Sequence, residues 1–179
     1  MGNIKKMNDI FQIRHEFDVD ELREEIRQIT HRCGFGSVWT QMGLQGSDPN
    51  KKGKGESQKS VGKAEGEEWE KSFKYPLFDA PVINSFMEKF NLHRTRLMIQ
   101  LPKTALTYHK DWSQRIHLPI HTHPHCMMII DTQAYYLEQH KVYYADTTKK
   151  HTAVNCHPSI KRVHIVGCLD HKNEGHGFD

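Results

Sequence analysis

Short apolar runs separated by turn residues follow Arg94, and this pattern restricts the fold more than any other feature of the chain. Runs of this length and composition predict β-strands. They occupy residues 96–101, 115–120, 126–130, 135–137, 142–144, 152–155 and 162–166. Many short strands with helices gathered ahead of them predict a mainly β fold, which is a sandwich or barrel with supporting N-terminal helices.

Helical patterns lie in the N-terminal half. Apolar residues recur at helical spacing over about 19–33, where Asp18 is placed as the N-cap and Gly34 as the C-terminal stop. A second helix is predicted over about 79–91, with Pro81 in its first turn. Two further short strands are predicted over residues 7–17 and 35–44.

The segment from about residue 46 to residue 71 is almost free of apolar residues and is rich in Lys, Gly, Ser and Glu. Such a composition buries little apolar surface, and it predicts a mobile surface loop. Because so long a loop is unusual in a compact domain, a second interpretation is a lid that orders over an active site with substrate. We expect one domain over residues 1–179, with helical support over about 1–92 and a β core over about 93–169.

Composition limits the expected partners and the compartment. The net charge of +3 and the sequence pI of about 8.6 are mild, which gives little support for nucleic-acid binding. No apolar run approaches the length of a transmembrane helix, and the N-terminus carries no secretory signal. The four cysteines form no CxxC pair, as is typical of free thiols in a reducing compartment. We therefore expect a cytoplasmic protein that binds no membrane.

Three residues, His109, Asp111 and His151, suggest a metal site. Two imidazoles and one carboxylate can hold one face of an Fe(II) ion and leave the opposite face open for ligands and O₂. The HxD pair alone is a weak signal among 14 histidines, but alternation after a strand places both side chains on one side. Arg162 follows and could clamp an anionic co-substrate, so the set predicts a non-haem iron oxygenase that consumes 2-oxoglutarate. The alternative for His109 and Asp111 is a salt-linked surface pair. For His151 it is an ordinary loop histidine, and for Arg162 it is a surface arginine in an edge strand.

Strand alternation groups further polar side chains. Arg115 and His117 share one face of a predicted strand, and Arg162 and His164 share one face of another. Cationic and imidazole groups on two such faces indicate a cavity whose lining can bind an anion. A core-lining role without ligand contact is the alternative for Arg115 and His117.

A second histidine pattern follows at His121, His123 and His125. On a strand, alternate residues would share one face, and zinc would accept three such ligands. However, Pro124 interrupts the run between two predicted strands. A histidine-rich turn near the mouth of the site is therefore the favoured interpretation.

Four stretches between Arg94 and Leu169 resemble the aspartyl/asparaginyl β-hydroxylase family of Fe(II)/2-oxoglutarate oxygenases, which includes bacterial free-proline hydroxylases. They read RLMIQLPKTALTYHKD, RIHLPIHTHP, YYADTTKKHTAVN and RVHIV. The resemblance implies a double-stranded β-helix, a cupin-like form of jelly roll. It also implies that His109, Asp111 and His151 bind Fe(II), and that Arg162 pairs with the distal carboxylate of 2-oxoglutarate.

Other positions match the family's pattern only in part. Arg115 and His117 match positions that contact the metal-bound carboxylate of the co-substrate, and Asn155 matches a recurrent position. Where some members place a serine to help hold the distal carboxylate, this chain has Met98. Where a recurrent Asn-Pro follows the second strand, this chain has His123-Pro124.

The resemblance predicts a dioxygenase that hydroxylates a C–H bond of an amino acid, or of a residue in a peptide or protein, and releases succinate and CO₂. Candidate substrate-binding residues are Trp39, Gln41, Trp112 and Asn155, and ordinary packing is the alternative for the two tryptophans. Three other classes remain open: a non-catalytic cupin-like protein that binds a metal or small acid, a zinc-dependent cupin-type enzyme, and an interaction protein acting through its charged loop.

Overall fold

Two antiparallel β-sheets form the body of the molecule in this computed structural model, which describes residues 9–35 and 40–170. Over these residues no helix has both the length and the apolar character needed to cross a membrane. The helices are α1 (Val19–Cys33), α2 (Lys54–Ser57), α3 (Glu67–Ser72) and α4 (Pro81–Lys89), with a 3₁₀ turn at Gln58–Ser60. The strands are β1 (Ile10–Ile13), β2 (Gln41–Gly43), β3 (Gln45–Gly46), β4 (Tyr75–Pro76), β5 (His93–Gln100), β6 (Thr104–Ala105), β7 (Arg115–His121), β8 (Cys126–Ile130), β9 (Gln133–Tyr135), β10 (Val142–Ala145), β11 (His151–Asn155) and β12 (Arg162–Cys168).

The strand order identifies the fold. The larger sheet runs β1-β10-β7-β12-β5-β2 and the smaller one β6-β11-β8-β9, while β3 and β4 pair separately. The chain from β5 to β12 therefore passes back and forth between the two larger sheets, as in a jelly roll. The predicted double-stranded β-helix with N-terminal helical support is confirmed.

The two long helices cover the outer face of the larger sheet. The Asp18 side chain accepts hydrogen bonds from the backbone N–H groups of Asp20 and Glu21, both at 2.9 Å, and Gly34 ends α1 with a φ of 61°. Helix α1 therefore has the predicted bounds, whereas α4 is two residues shorter than predicted at each end.

Strand alternation separates an apolar face of the larger sheet from a polar one. In β12, Ile165 packs in the core under the helices. Arg162, His164 and Val166 alternate with it and so share the opposite face. Of these, Arg162 and Val166 line a cavity between the two sheets. Of the polar residues that strand alternation grouped, Arg115, His117 and Arg162 line this cavity, whereas His164 does not.

Secondary structure interrupts the segment 46–71, where the sequence predicts a loop. Helix α2, the 3₁₀ turn and the start of α3 lie in this segment, and its Ser57, Ser60 and Glu70 are fully buried. The difference arises because polar side chains, which a count of apolar residues overlooks, anchor the segment to β5 and β7. The segment forms part of the wall of the cavity between the sheets.

Gly43 shows how closely this segment approaches β2. A Cβ atom at Gly43 would lie 1.8 Å from Ser60 Oγ and 2.6 Å from the Ser57 carbonyl oxygen. We expect Gly43→Ala to lower the free energy of unfolding by about 1–3 kcal/mol, because the segment must shift to accept the methyl group. Urea denaturation measures this loss. Gly55→Ala is the control, since a Cβ there meets nothing within 4 Å, and equal losses in the two variants would contradict the close approach.

Candidate metal centre

His109, Asp111 and His151 converge at the mouth of the cavity. Each offers one ligand atom, and these atoms lie within 4.8 Å of one another. Asp111 lies between the two rings: its Oδ1 is 3.8 Å from His109 Nε2, and its Oδ2 is 3.7 Å from His151 Nε2. This arrangement of two imidazoles and a carboxylate could hold a metal ion.

Backbone pairing places the three residues. His109 and His151 form a β-bridge, with N–H to O distances of 3.0 and 2.8 Å, so the chain after β6 is tied to the start of β11. The backbone N–H of Asp111 donates to the Thr147 carbonyl at 2.9 Å. The side chains therefore project from backbone that is fixed on both sides.

Hydrogen bonds also fix the two rings. His109 Nδ1 lies 2.6 Å from the Thr107 carbonyl oxygen, and His151 Nδ1 lies 3.0 Å from that of Lys149. A carbonyl oxygen only accepts, so each Nδ1 carries a proton, and Nε2 is left as the atom of each ring that can bind a metal. Burial lowers the pKa of His151 despite the opposing effect of its bond to Lys149, which favours the neutral form. Both rings are thus oriented as metal-binding imidazoles usually are.

A buried ionic network stands behind Asp111. Arg115 Nε lies 3.2 Å from Asp111 Oδ2, and Arg115 Nη2 donates to Glu70 Oε1 at 2.8 Å. Arg94 Nη1 donates to the same Glu70 oxygen at 2.5 Å, and the Arg94 guanidinium stacks over Trp69. Helix α3 is therefore linked through Glu70 and Arg115 to the carboxylate of the candidate site, while Arg94 shares Glu70.

The cavity has a volume of about 460 Å³. Its lining comprises Gln41, Gly62, Lys63, Ala64, Arg94, Arg96, Met98, Leu106, Thr107, His109, Lys110, Asp111, Trp112, Arg115, His117, Met128, Thr147, His151, Ala153, Arg162 and Val166. Six lining residues are cationic at neutral pH, counting lysines and arginines, against one acidic residue, Asp111. The cavity is therefore suited to anionic ligands.

Buried polar groups without partners lie at one end of the cavity, where Arg162 and His117 line it and the ring of His164 packs edge-on against that of His117. Arg162 Nε and both ring nitrogens of His117 and of His164 are buried and lack a hydrogen-bond partner among the described residues. Burial, reinforced by Arg162, holds the pKa of both histidines well below the ordinary value, so they are neutral. Unsatisfied buried groups are costly, which indicates that a polar ligand completes this end of the cavity.

The other residues singled out by the sequence lie in different places. Gln41 and Trp112 line the cavity, and Trp112 is exposed at its mouth. Asn155 does not belong to the lining. Its amide donates to the Gln100 and Ile160 carbonyls and so fixes the turn between β11 and β12. Trp39 lies outside the described residues.

The three histidines of the HxHxH pattern do not share one face of a strand. His121 ends β7, whereas His123 and His125 lie in the turn before β8, where the ring of His123 packs against that of His157 with centroids 4.4 Å apart. The Nδ1 atom of His157 accepts N–H groups from Ser159 and Ile160. The favoured interpretation as a histidine-rich turn agrees with this placement.

Two cavity residues, Arg94 and Arg96, and their buried neighbour Glu70 were not identified from the sequence. Arg94 and Arg96 lie two positions apart at the start of a largely buried strand, and two arginines so placed are a signal that could have been used. Glu70 gave no signal, since it is one of many charged residues in its segment.

Two of three comparisons with known proteins found matches. The model of the aspartyl/asparaginyl beta-hydroxylase family matches residues 7–171, which is nearly the whole chain. Solved structures similar to this one include a prolyl-4-hydroxylase of Pseudomonas putida, with a TM-score of 0.44 and 12% sequence identity over 90% of this chain and 86% of that chain. Among curated proteins, no sequence matches the chain.

Proposed function

The chain belongs to the aspartyl/asparaginyl beta-hydroxylase family, and from this premise we propose that it is an Fe(II)- and 2-oxoglutarate-dependent dioxygenase. Its reaction is the hydroxylation of a C–H bond of an amino acid, or of a residue in a peptide or protein. The observation that carries the proposal is the convergence of His109, Asp111 and His151 beside a cavity that ends in an unpartnered guanidinium.

The chemistry of the donor set fits Fe(II). Two neutral imidazoles and one carboxylate are the usual ligands of iron in oxygenases of this kind, and they leave coordination positions open. The Nδ1 protons of His109 and His151 are already engaged with backbone carbonyls, so no ring has to reorient. Thiolate ligands, which would favour zinc or an iron–sulfur cluster, are absent from this three-residue group.

The end of the cavity that Arg162 lines fits the distal carboxylate of 2-oxoglutarate. Arg162 is nearly fully buried, and burial lowers the pKa of its guanidinium to about 10, so it remains charged at neutral pH. No carboxylate among the described residues lies within 4.0 Å of it. A guanidinium so placed gains a bidentate pair when a carboxylate enters.

When bound, Fe(II) with 2-oxoglutarate and O₂ would supply the oxidative decarboxylation that yields succinate and CO₂ and adds one oxygen atom to the substrate. The protein's own residues bind and orient. Arg162 fixes the far end of the co-substrate, and Arg115 holds Asp111 in place through Nε. The surrounding apolar lining, such as Met128 and Val166, limits the entry of water.

Anaerobic titration tests this function. Adding Fe(II) and then 2-oxoglutarate to the purified protein should produce the weak visible charge-transfer band of an iron–keto-acid chelate. Under air, succinate should then form. Metal binding without the band would refute the proposal and favour a zinc enzyme or a binding protein of the same fold.

Arg162→Gln should weaken 2-oxoglutarate binding by about ten- to a hundred-fold, because a charge-assisted pair with the distal carboxylate is lost. Fe(II) affinity should remain unchanged. The measurement is the 2-oxoglutarate dependence of the visible band. Lys161→Gln removes a neighbouring exposed cation and serves as the control. Equal affinity in Arg162→Gln and the wild type would show that another group holds the co-substrate.

A further inference from the structure

Four buried guanidinium groups line the cavity, and only two of them have carboxylate partners. Arg94 and Arg115 share Glu70, and Arg115 also contacts Asp111. In the described part of the chain, neither Arg96 nor Arg162 lies within 4.0 Å of a carboxylate, although both are 7% exposed. The proposed function explains Arg162 by the co-substrate, but it leaves Arg96 unexplained.

Among the described residues, the Arg96 side chain makes one hydrogen bond. Its Nη1 donates to Gln41 Oε1 at 3.0 Å, while its Nε is buried without a partner among the residues described. Burial, together with the nearby Arg94 and Arg115, lowers the pKa of Arg96 to about 10, so the group is still a cation at neutral pH. Since the Gln41 oxygen accepts from Arg96 and its amide nitrogen has no acceptor among the described residues, that nitrogen can donate to a ligand bound beside Arg96.

Arg96 and Arg162 occupy different levels of the cavity wall. Arg162 pairs in register with Gln100 of β5, whereas Arg96 pairs with Val166 of β12. Four residues of extended strand separate the two levels, so their Cα atoms lie roughly 13 Å apart. A five-carbon diacid clamped at Arg162 and chelating a metal at its other end leaves Arg96 for a second anion.

We propose that Arg96 and Gln41 bind a carboxylate of the substrate, and that the substrate is a small carboxylic acid of the free amino acid class. This proposal rests on the proposed function, since it takes the co-substrate to occupy Arg162. A guanidinium and an amide side by side present several N–H donors to one carboxylate.

The size and charge of the cavity agree with a small anionic substrate. A volume of about 460 Å³ lies in the lower part of the range for small-molecule sites, roughly 300–1,000 Å³. The co-substrate takes part of this space, which leaves room for a molecule the size of an amino acid. Lys63 and Lys110 at the lining add positive charge that attracts anions toward Arg96.

Binding to the protein loaded with Zn(II) and 2-oxoglutarate tests the proposal without turnover. Calorimetry would compare the common L-amino acids with their primary amides, which lack the carboxylate charge. We expect at least one acid to bind about ten-fold or more tightly than its amide in the wild type. Arg96→Gln should abolish this preference and leave the affinity for 2-oxoglutarate within about two-fold of the wild-type value. Arg162→Gln should instead weaken the binding of 2-oxoglutarate.

Two results would overturn the assignment of Arg96. If no acid binds more tightly than its amide, the substrate is not recognised through a carboxylate. If Arg96→Gln weakens the binding of 2-oxoglutarate as strongly as Arg162→Gln does, then Arg96 belongs to the co-substrate site. Failure of the wild type to bind 2-oxoglutarate at all would instead refute the proposed function, so the two failures are distinguishable.

Thermal unfolding of the ligand-free protein separates a binding role from a structural one. A buried cation that awaits a ligand destabilises the empty protein, so Arg96→Gln should unfold at the same temperature as the wild type or higher. The matched control is Arg94→Gln, which breaks a buried ion pair on the same strand and should unfold at a lower temperature. If the unfolding temperature of Arg96→Gln fell as far as that of Arg94→Gln, Arg96 would be shown to support the fold.

Discussion

His151→Ala should abolish metal binding at the candidate site and with it the 2-oxoglutarate-dependent visible band. The ring supplies one of three ligand atoms, is almost fully buried, and has its Nδ1 proton engaged by Lys149. Changes that only disturb the orientation of a metal ligand cost about 10–100-fold in metal affinity, so loss of the ligand itself should cost at least about a hundred-fold. Calorimetric titration with Fe(II) under nitrogen measures the effect.

His121→Ala is the matched control for this experiment, because His121 is exposed at the end of β7 and does not line the cavity. It should bind Fe(II) as the wild type does. If His151→Ala retained wild-type affinity, the metal would be bound elsewhere, and the packed pair of His123 and His157 would be the first place to look.

Glu70→Gln should lower the free energy of unfolding by about 3–5 kcal/mol, which is the usual cost of breaking a buried ion pair from one side. The Glu70 side chain is completely buried and is the shared partner of Arg94 and Arg115. Its replacement leaves two buried cations, one of which is also paired with Asp111. Urea denaturation of the metal-free protein measures the loss.

Glu68→Gln is the matched control, because Glu68 lies in the same helix and its side chain is 90% exposed. It should change the free energy of unfolding by less than about 0.5 kcal/mol. Fe(II) affinity provides a second readout. Since Arg115 holds Asp111, we expect weaker Fe(II) binding in Glu70→Gln than in Glu68→Gln. A Glu70→Gln protein as stable as the control would mean that water or a neighbouring group replaces the carboxylate.

Local rules predict a large part of the fold. Helix α1 has the predicted bounds because its signals, the Asp18 cap and the Gly34 stop, lie within one turn of its ends. Strand β8 likewise coincides with its apolar run, and β7 and β11 differ from theirs by one residue. The group of His109, Asp111 and His151 was predicted as well, because ligand type and order along the chain are visible in sequence.

The rest of the site depends on contacts between distant parts of the chain. Glu70 meets Arg94 and Arg115, which are 24 and 45 positions away, and composition alone describes its segment as a loop. Arg115, which the resemblance places on the co-substrate, also has partners that the sequence did not predict, since its guanidinium contacts Glu70, Ser113 and Asp111. Neither pairing can be read from local periodicity.

The strand lengths of the two larger sheets bear on how the protein behaves at high concentration. The four edge strands, β1, β2, β6 and β9, are two to four residues long, whereas the inner strands β5, β7 and β12 have seven or eight residues. A short edge gives a second chain little free backbone with which to pair. The long, hydrogen-bonded strands that carry Arg96, His117 and Arg162 are thus kept away from the surface where edge-to-edge aggregation begins.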